Sequence, residues 1–256
     1  MYDWSRRRVA AALLAGVPLV VACCLAAQWP LWTSGKIGLA TANLFVSISF
    51  YVTSLFVAAK PGHRLTGAAL AAAALLWLLN WVNEWNAGPL PLIAALEGPL
   101  YGLVAVWALL RYPAPWPRRR YDVIAFAVVV LVQLIACLQV VTSLPQWHGL
   151  PPGTTWLAWW PDRTAYAVSQ GIYNYGIIAI AIAGVLALVI RLARLSGPDR
   201  RVMRPVMVAI VASGIATAAT GLALALGSPA VDTLSALEAA VLVSVPVTFM
   251  IAAARR

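Results

Sequence analysis

Glu97 and Tyr101 stand four residues apart inside one long apolar run, so on a helix they share a face. A carboxyl group held in hydrocarbon is costly, which makes it a candidate for binding rather than filler. Gln170 and Asn174 repeat the same spacing, with Tyr173 beside them. Asn43, Ser47, Tyr51 and Ser54 form a polar stripe in another apolar run. Glu238, Asn80 and Gln139 complete the set, and Gln133 stands alone in the middle of its run. Such groups either hydrogen-bond across helices as structural glue or converge on a ligand. The ligand-binding reading takes in Glu97, Tyr101, Glu238, Asn80, Gln170, Tyr173, Asn174 and Asn43.

The elements that must position these residues follow from composition. The chain has 256 residues, 62% hydrophobic and 10% charged, against about 45–50% and about 25% for a soluble domain. A soluble fold of this size could not hide that much apolar surface. A soluble enzyme, a nucleic-acid-binding module and a disordered tail are excluded. The expected fold is all-α: a polytopic integral membrane bundle forming a single transmembrane domain over 1–256. Eight runs are long enough to span, at 9–29, 37–59, 65–83, 89–111, 122–142, 166–193, 205–226 and 233–254.

Punctuation supports this division. Pro61-Gly62 separates the second and third spans, and Pro113, Pro115 and Pro117 cannot continue the fourth helix. Gly197 can cap the sixth helix, with Pro198 near the start of the next. Pro99 predicts a kink in the fourth span. Arg6, Arg7 and Arg8 before an apolar run look like a signal peptide, and Val20 to Cys23 like a lipoprotein cleavage box. The run continues to Trp29, so a retained first helix is expected.

The net charge of +10 is a matter of sidedness rather than of a nucleic-acid partner. With eight spans and an internal N-terminus, the inner segments hold Arg6, Arg7, Arg8, Lys60, Arg64, Arg111, Arg118, Arg119, Arg120, Arg191, Arg194, Arg200, Arg201, Arg204, Arg255 and Arg256. The outer segments hold only Lys36 and Arg163. That split places both termini in the cytoplasm of a prokaryotic plasma membrane. On this topology Glu97, Glu238, Asn80, Gln170, Tyr173, Asn174, Asn43 and Gln139 all fall in the outer part of the bilayer, above an inner half poorer in polar groups. The expected shape is a polar pocket open to the outside, which favours sensing over transport. Trp29, Trp32, Trp85, Trp147, Trp156, Trp159 and Trp160 also fall outside, as an interfacial belt. The segment 143–165, with His148, is read as belt before ligand lid.

No enzyme signature is present: no paired-aspartate, zincin or nucleophile-elbow motif. His63 and His148 fall on opposite sides and cannot share a metal, and Lys36 and Lys60 lie too near helix ends for a retinal Schiff base. Cys23, Cys24 and Cys137 have no metal-ligand spacing. No metal, no cofactor and no catalytic residue are expected. Ala179, Ala183 and Ala187, Gly214 and Ala218, and Thr217 and Gly221 are small pairs at four-residue spacing, read as packing within the bundle before homodimerisation.

Three inner loops carry a resemblance. Lys60-Pro61-Gly62-His63-Arg64-Leu65-Thr66-Gly67 resembles the Arg-Pro-Gly-Asn-Arg-Ile-Gly turn of membrane input regions in actinobacterial sensor histidine kinases. Pro113 to Arg120 is similar to that family's second inner loop, although it lacks the usual Asp-Gly, and Arg194 to Arg204 to its charged loop before the penultimate helix. The resemblance implies a sensory input module of a two-component-like system. Such a module signals through its last helix to a cytoplasmic kinase or response-regulator partner. No phospho-accepting histidine box or ATP lid follows Arg256, so the chain is expected to be an input region without its kinase core. The alternative functions are a small-solute transporter or channel, and a membrane subunit that scaffolds a partner.

Overall fold

In lipid, a chain must satisfy its backbone polar groups internally, and helices do so segment by segment. The computed structural model describes residues 2–60, 62–110, 120–193 and 197–254, and no strand occurs among them. The helices are α1 (Tyr2–Ala27), α2 (Trp29–Thr33), α3 (Ile37–Ala58), α4 (Arg64–Leu79), α5 (Leu90–Leu110), α6 (Arg120–Thr142), α7 (Arg163–Ala193), α8 (Gly197–Ala225), α9 (Val231–Leu242) and α10 (Ser244–Ala254). A 3-10 turn over Asn80–Trp85 extends α4. Six stretches are long and apolar enough to cross a membrane: Ile37–Ala58, Arg64–Trp85, Leu90–Ala108, Val123–Thr142, Met203–Ala223 and Val231–Ala252. The apolar part of α1, Ala11–Ala27, is shorter.

The packing order closes on itself. Each helix from α3 to α9 packs on the next, and α9 and α10 return against α3. α1 lies outside this ring, against α3 and α4. Long-range bonds fix the closure. Lys36 at the start of α3 pairs with Asp232 on α9 at 3.0 Å, and deeper down the Thr53 hydroxyl donates to the Pro246 carbonyl at 2.9 Å. The Trp85 indole N–H donates to the carbonyls of Ala26 and Ala27, tying the end of α1 to the turn after α4.

Close helix approach uses glycines that the small-residue spacing did not single out. A Cβ on Gly67 would fall 2.6 Å from Ala58 Cβ and 2.7 Å from the Ser54 carbonyl oxygen, so α3 and α4 meet there backbone to backbone. Gly16 of α1 receives the Tyr51 hydroxyl, which donates to the Ala12 carbonyl at 3.0 Å. In contrast, Gly221 faces open space and Ala179 is exposed. The side chains of Ala183 and Ala187 lie outside the described residues.

Helix bounds match the expected runs for α3 to α6, with one correction elsewhere. Gly197 belongs to the first turn of α8, which therefore starts well before 205 and runs through Pro205. The last span, expected as one helix over 233–254, is one apolar stretch over Val231–Ala252, and Val243 between α9 and α10 keeps helical dihedrals (φ −54°, ψ −33°). Pro246 removes one backbone bond there, because it has no N–H for the Leu242 carbonyl and its ring crowds that group. At Pro99 α5 likewise runs on. Pro61, Pro113, Pro115, Pro117 and the arginines at 111, 118, 119, 194, 255 and 256 lie outside the described residues.

Candidate functional site

Helices α3 to α10 form a ring around an axial space, a cavity of about 370 Å³. Each helix around it contributes. Phe50 comes from α3, Leu70 from α4, Tyr101 from α5, Gln133 from α6, Tyr173 from α7, Thr217 from α8, Leu242 from α9, and Val245, Pro246 and Phe249 from α10. Among the described residues no charged one lines it, and most of the wall is apolar. The polar groups on the wall are the Tyr101 and Tyr173 phenols, Gln133, Ser213 and Thr217.

Tyr101 is the junction of the site. Its ring meets Phe50 edge-on at 6.3 Å and Trp77 at 5.1 Å, and Trp77 in turn meets Trp81 at 6.4 Å. These aromatics form a ladder from the α3–α4–α9 end of the bundle, where Trp81 packs with Leu31, Leu39 and Ala236, down to the cavity. The Trp77 and Trp81 indole nitrogens are buried with no hydrogen-bond partner in the protein. Sequence reasoning missed this pair, although its four-residue spacing in α4 was the available signal.

The eight candidates divide into three groups. Tyr101 and Tyr173 line the cavity. Glu97 and Glu238 flank it within electrostatic range of Tyr101. Glu238 is half-buried and accepts a hydrogen bond from the Thr217 hydroxyl at 2.7 Å. Glu97 is 3% exposed, and neither carboxyl oxygen has a protein partner. Asn43 is fully buried with both ends of its amide unpaired. Asn80 lies near Gly98, its amide oxygen 3.9 Å from where a Cβ would stand. Asn174 is half-buried but not on the cavity wall, and Gln170 is exposed. These six carboxyl and amide side chains are therefore absent from the wall of an apolar chamber.

Gln133 takes its place because α5 has a glycine opposite it. A Cβ on Gly102 would stand 2.6 Å from Gln133 Nε2, so the glycine leaves room for this amide against α5, and a larger residue would push it aside. Its Oε1 is buried with no partner, and so is the Ser213 hydroxyl.

The connection from α6 to α7 folds back on the helix ends. Trp160 and Asp162 donate their backbone N–H groups to the carbonyls of Val141 and Thr142, and Asp162 caps α7 through the Ala165 N–H at 2.8 Å. Within it, the His148 ring packs between Trp156 at 4.8 Å and Tyr166 at 5.2 Å. Trp156 Nε1 donates to Ser143 Oγ, which lies 2.8 Å from His148 Nε2. Desolvation by these neighbours lowers the His148 pKa from 6.5. Burial therefore favours the neutral ring, which shares a hydrogen bond with the Ser143 hydroxyl. Trp159 and Trp160 project outward, as belt residues do.

No protein-family model matches the chain, and neither curated proteins nor solved structures gave a match. Fold and cavity together define a class, that of all-helical proteins with several helices apolar enough for multiple membrane passes.

Proposed function

We propose that the chain is a sensory, ligand-binding membrane module. Its eight spans are α1, α3 to α8 and the α9–α10 pair, with both termini on the cytoplasmic side of a prokaryotic plasma membrane. A small molecule held in the axial cavity changes the angle between α9 and α10. That change passes to a cytoplasmic signalling partner of the two-component type, either a kinase or a response regulator. The observation that carries this reading is the place of Pro246. It leaves the Leu242 carbonyl without its helical partner, and Leu242, Val245, Pro246 and Phe249 all lie on the cavity wall, so the proline turn of the last span borders the ligand space. A ligand shifts such a turn only by preferring one of two arrangements.

The charge-free wall argues against an ion pathway. Sidedness rests on the distribution of basic residues and is checked by reporter fusions. Fusions within 143–162 should report outside, and fusions within 111–119 and 194–196 should report inside.

The function is tested by joining the full chain to a histidine-kinase core. Gly214 lines the cavity, and Gly214→Leu partly fills it. The expected result is a several-fold change in basal autophosphorylation, with solute flux into liposomes at the empty-vesicle level. Unchanged autophosphorylation together with solute flux above that level would overturn the reading in favour of a transporter.

A further inference from the structure

We infer that the axial cavity holds a hydrocarbon chain, packed by contact alone and with no hydrogen bond to the wall. This rests on the reading of the cavity as a ligand site and adds the chemical class of the ligand. The volume of about 370 Å³ is more than twice that of an engineered cavity of ~150 Å³ that stays dry and admits benzene. At the same space per carbon it takes about 12–15 carbon atoms. Glycines on the wall make the room. Gly98 of α5 and Gly214 of α8 both line the space, and a Cβ on Gly98 would meet nothing nearer than 3.9 Å.

The wall residues offer a polar occupant little. Gln133 Oε1 and the Ser213 hydroxyl are fully buried and closed to the chamber, and the Thr217 hydroxyl donates to Glu238 at 2.7 Å. Tyr101 and Tyr173 carry most of their surface on apolar rings. A buried water needs two to four polar partners, and cavities with apolar walls stay dry. Among the described residues no charged one lines the wall, so an ion would enter without a counter-charge. Empty space is no better, because wall atoms that face a void lose their contacts on that side. A hydrocarbon chain restores those contacts and asks for no hydrogen bond. Six stretches of the chain are apolar enough to cross a membrane, and around such a bundle hydrocarbon chains are the surrounding medium.

The test uses the purified full chain, labelled at its isoleucine methyls, in phosphatidylcholine nanodiscs. Ile177, Ile180 and Ile210 line the chamber, and exposed Ile124 on α6 is the lipid-facing reference. The wall methyls should show NMR cross-relaxation with hydrocarbon chain protons and none with water. Gly98→Leu and Gly214→Leu each put a side chain into the chamber. Each should weaken the chain signals of the wall methyls several-fold and leave those of Ile124 unchanged. Chain-deuterated lipid with protonated dodecane, and the reverse pairing, separates a free chain from the tail of a bilayer lipid, and either source supports the class.

Wall methyls that meet water, or that meet no chain protons, would overturn the inference. So would chain signals at full strength in either variant that folds, by thermal unfolding, as the parent does. Chain contact at the wall with unchanged kinase output of the Gly214→Leu fusion would defeat the sensory reading alone. Water at the wall with changed output in that fusion would defeat the hydrocarbon chain alone.

Discussion

Thr53 and Pro246 are 193 residues apart in the chain, yet the Thr53 hydroxyl reaches the Pro246 carbonyl at 2.9 Å. This bond ties α3 to the proline turn of the last span and closes the ring around the cavity. Thr53→Val keeps the shape and removes the bond. The expected cost is about 0.5–1.5 kcal/mol, since interhelical hydrogen bonds in membranes are modest. Reversible unfolding in mixed micelles measures it, and the α9–α10 angle should become more variable in the same variant.

Glu97 separates stability from function. Its carboxyl is buried without a protein partner, so replacing it with an apolar side chain removes a desolvation cost. Glu97→Leu should stabilise the bundle by about 1–3 kcal/mol in the same micelle assay. It should also reduce the kinase output of the fusion, and Glu97→Gln should reduce output less. Loss of stability in Glu97→Leu would mean that the carboxyl group is structural glue.

Two glycines with opposite surroundings make an internal control. Gly67→Ala forces a methyl to within 2.6 Å of Ala58 Cβ and 2.7 Å of backbone, a degree of overpacking that typically costs about 1–3 kcal/mol. Gly171 in α7 has nothing within 4 Å of the added carbon. Gly171→Ala should be neutral or stabilising by up to about 1 kcal/mol, the helix-propensity difference. Thermal unfolding of both variants checks the pair.

Much of the fold was legible in the sequence because lipid imposes a length rule. The runs at 37–59 and 122–142 needed only hydropathy to become α3 and α6. Pro99, Pro205 and Pro246 carry the same local signal, and the helical path continues past all three. A proline tells where a helix can bend, and the neighbours decide whether it does. The site was legible in part. Spacing put Glu97 and Tyr101 on one face, and both are turned into the bundle. Gln170 looked equivalent on spacing, but its side is exposed. The cavity itself was invisible, because most of its wall comes from ordinary apolar residues such as Leu70 and Phe249, which only ring closure brings together.

His148 offers a pH test outside the spans. Its ring is desolvated by Trp156 and Tyr166 and titrates below 6.5 in the folded loop. The unfolded chain binds the proton more readily, so stability rises with pH across the window below 6.5. The contribution of the neutral ring is complete above that value. It is lost progressively as the pH falls towards the folded-state pKa. The chain has two histidines, so selective imidazole labelling gives two NMR titrations, and a His63→Gln variant assigns them. Titration of His148 above 6.5 would contradict the packing described.

The most direct test of the account is the distance between α4 and α10 with the cavity empty and filled. Spin labels at Leu65 and Ile251, both exposed, are placed in a background with Cys23, Cys24 and Cys137 replaced. The full chain is measured in nanodiscs by pulsed electron paramagnetic resonance, in the parent and in Gly214→Leu, which partly fills the cavity. The account predicts a shifted distance distribution in Gly214→Leu. Identical distributions, with the variant as stable as the parent by thermal unfolding, would contradict it.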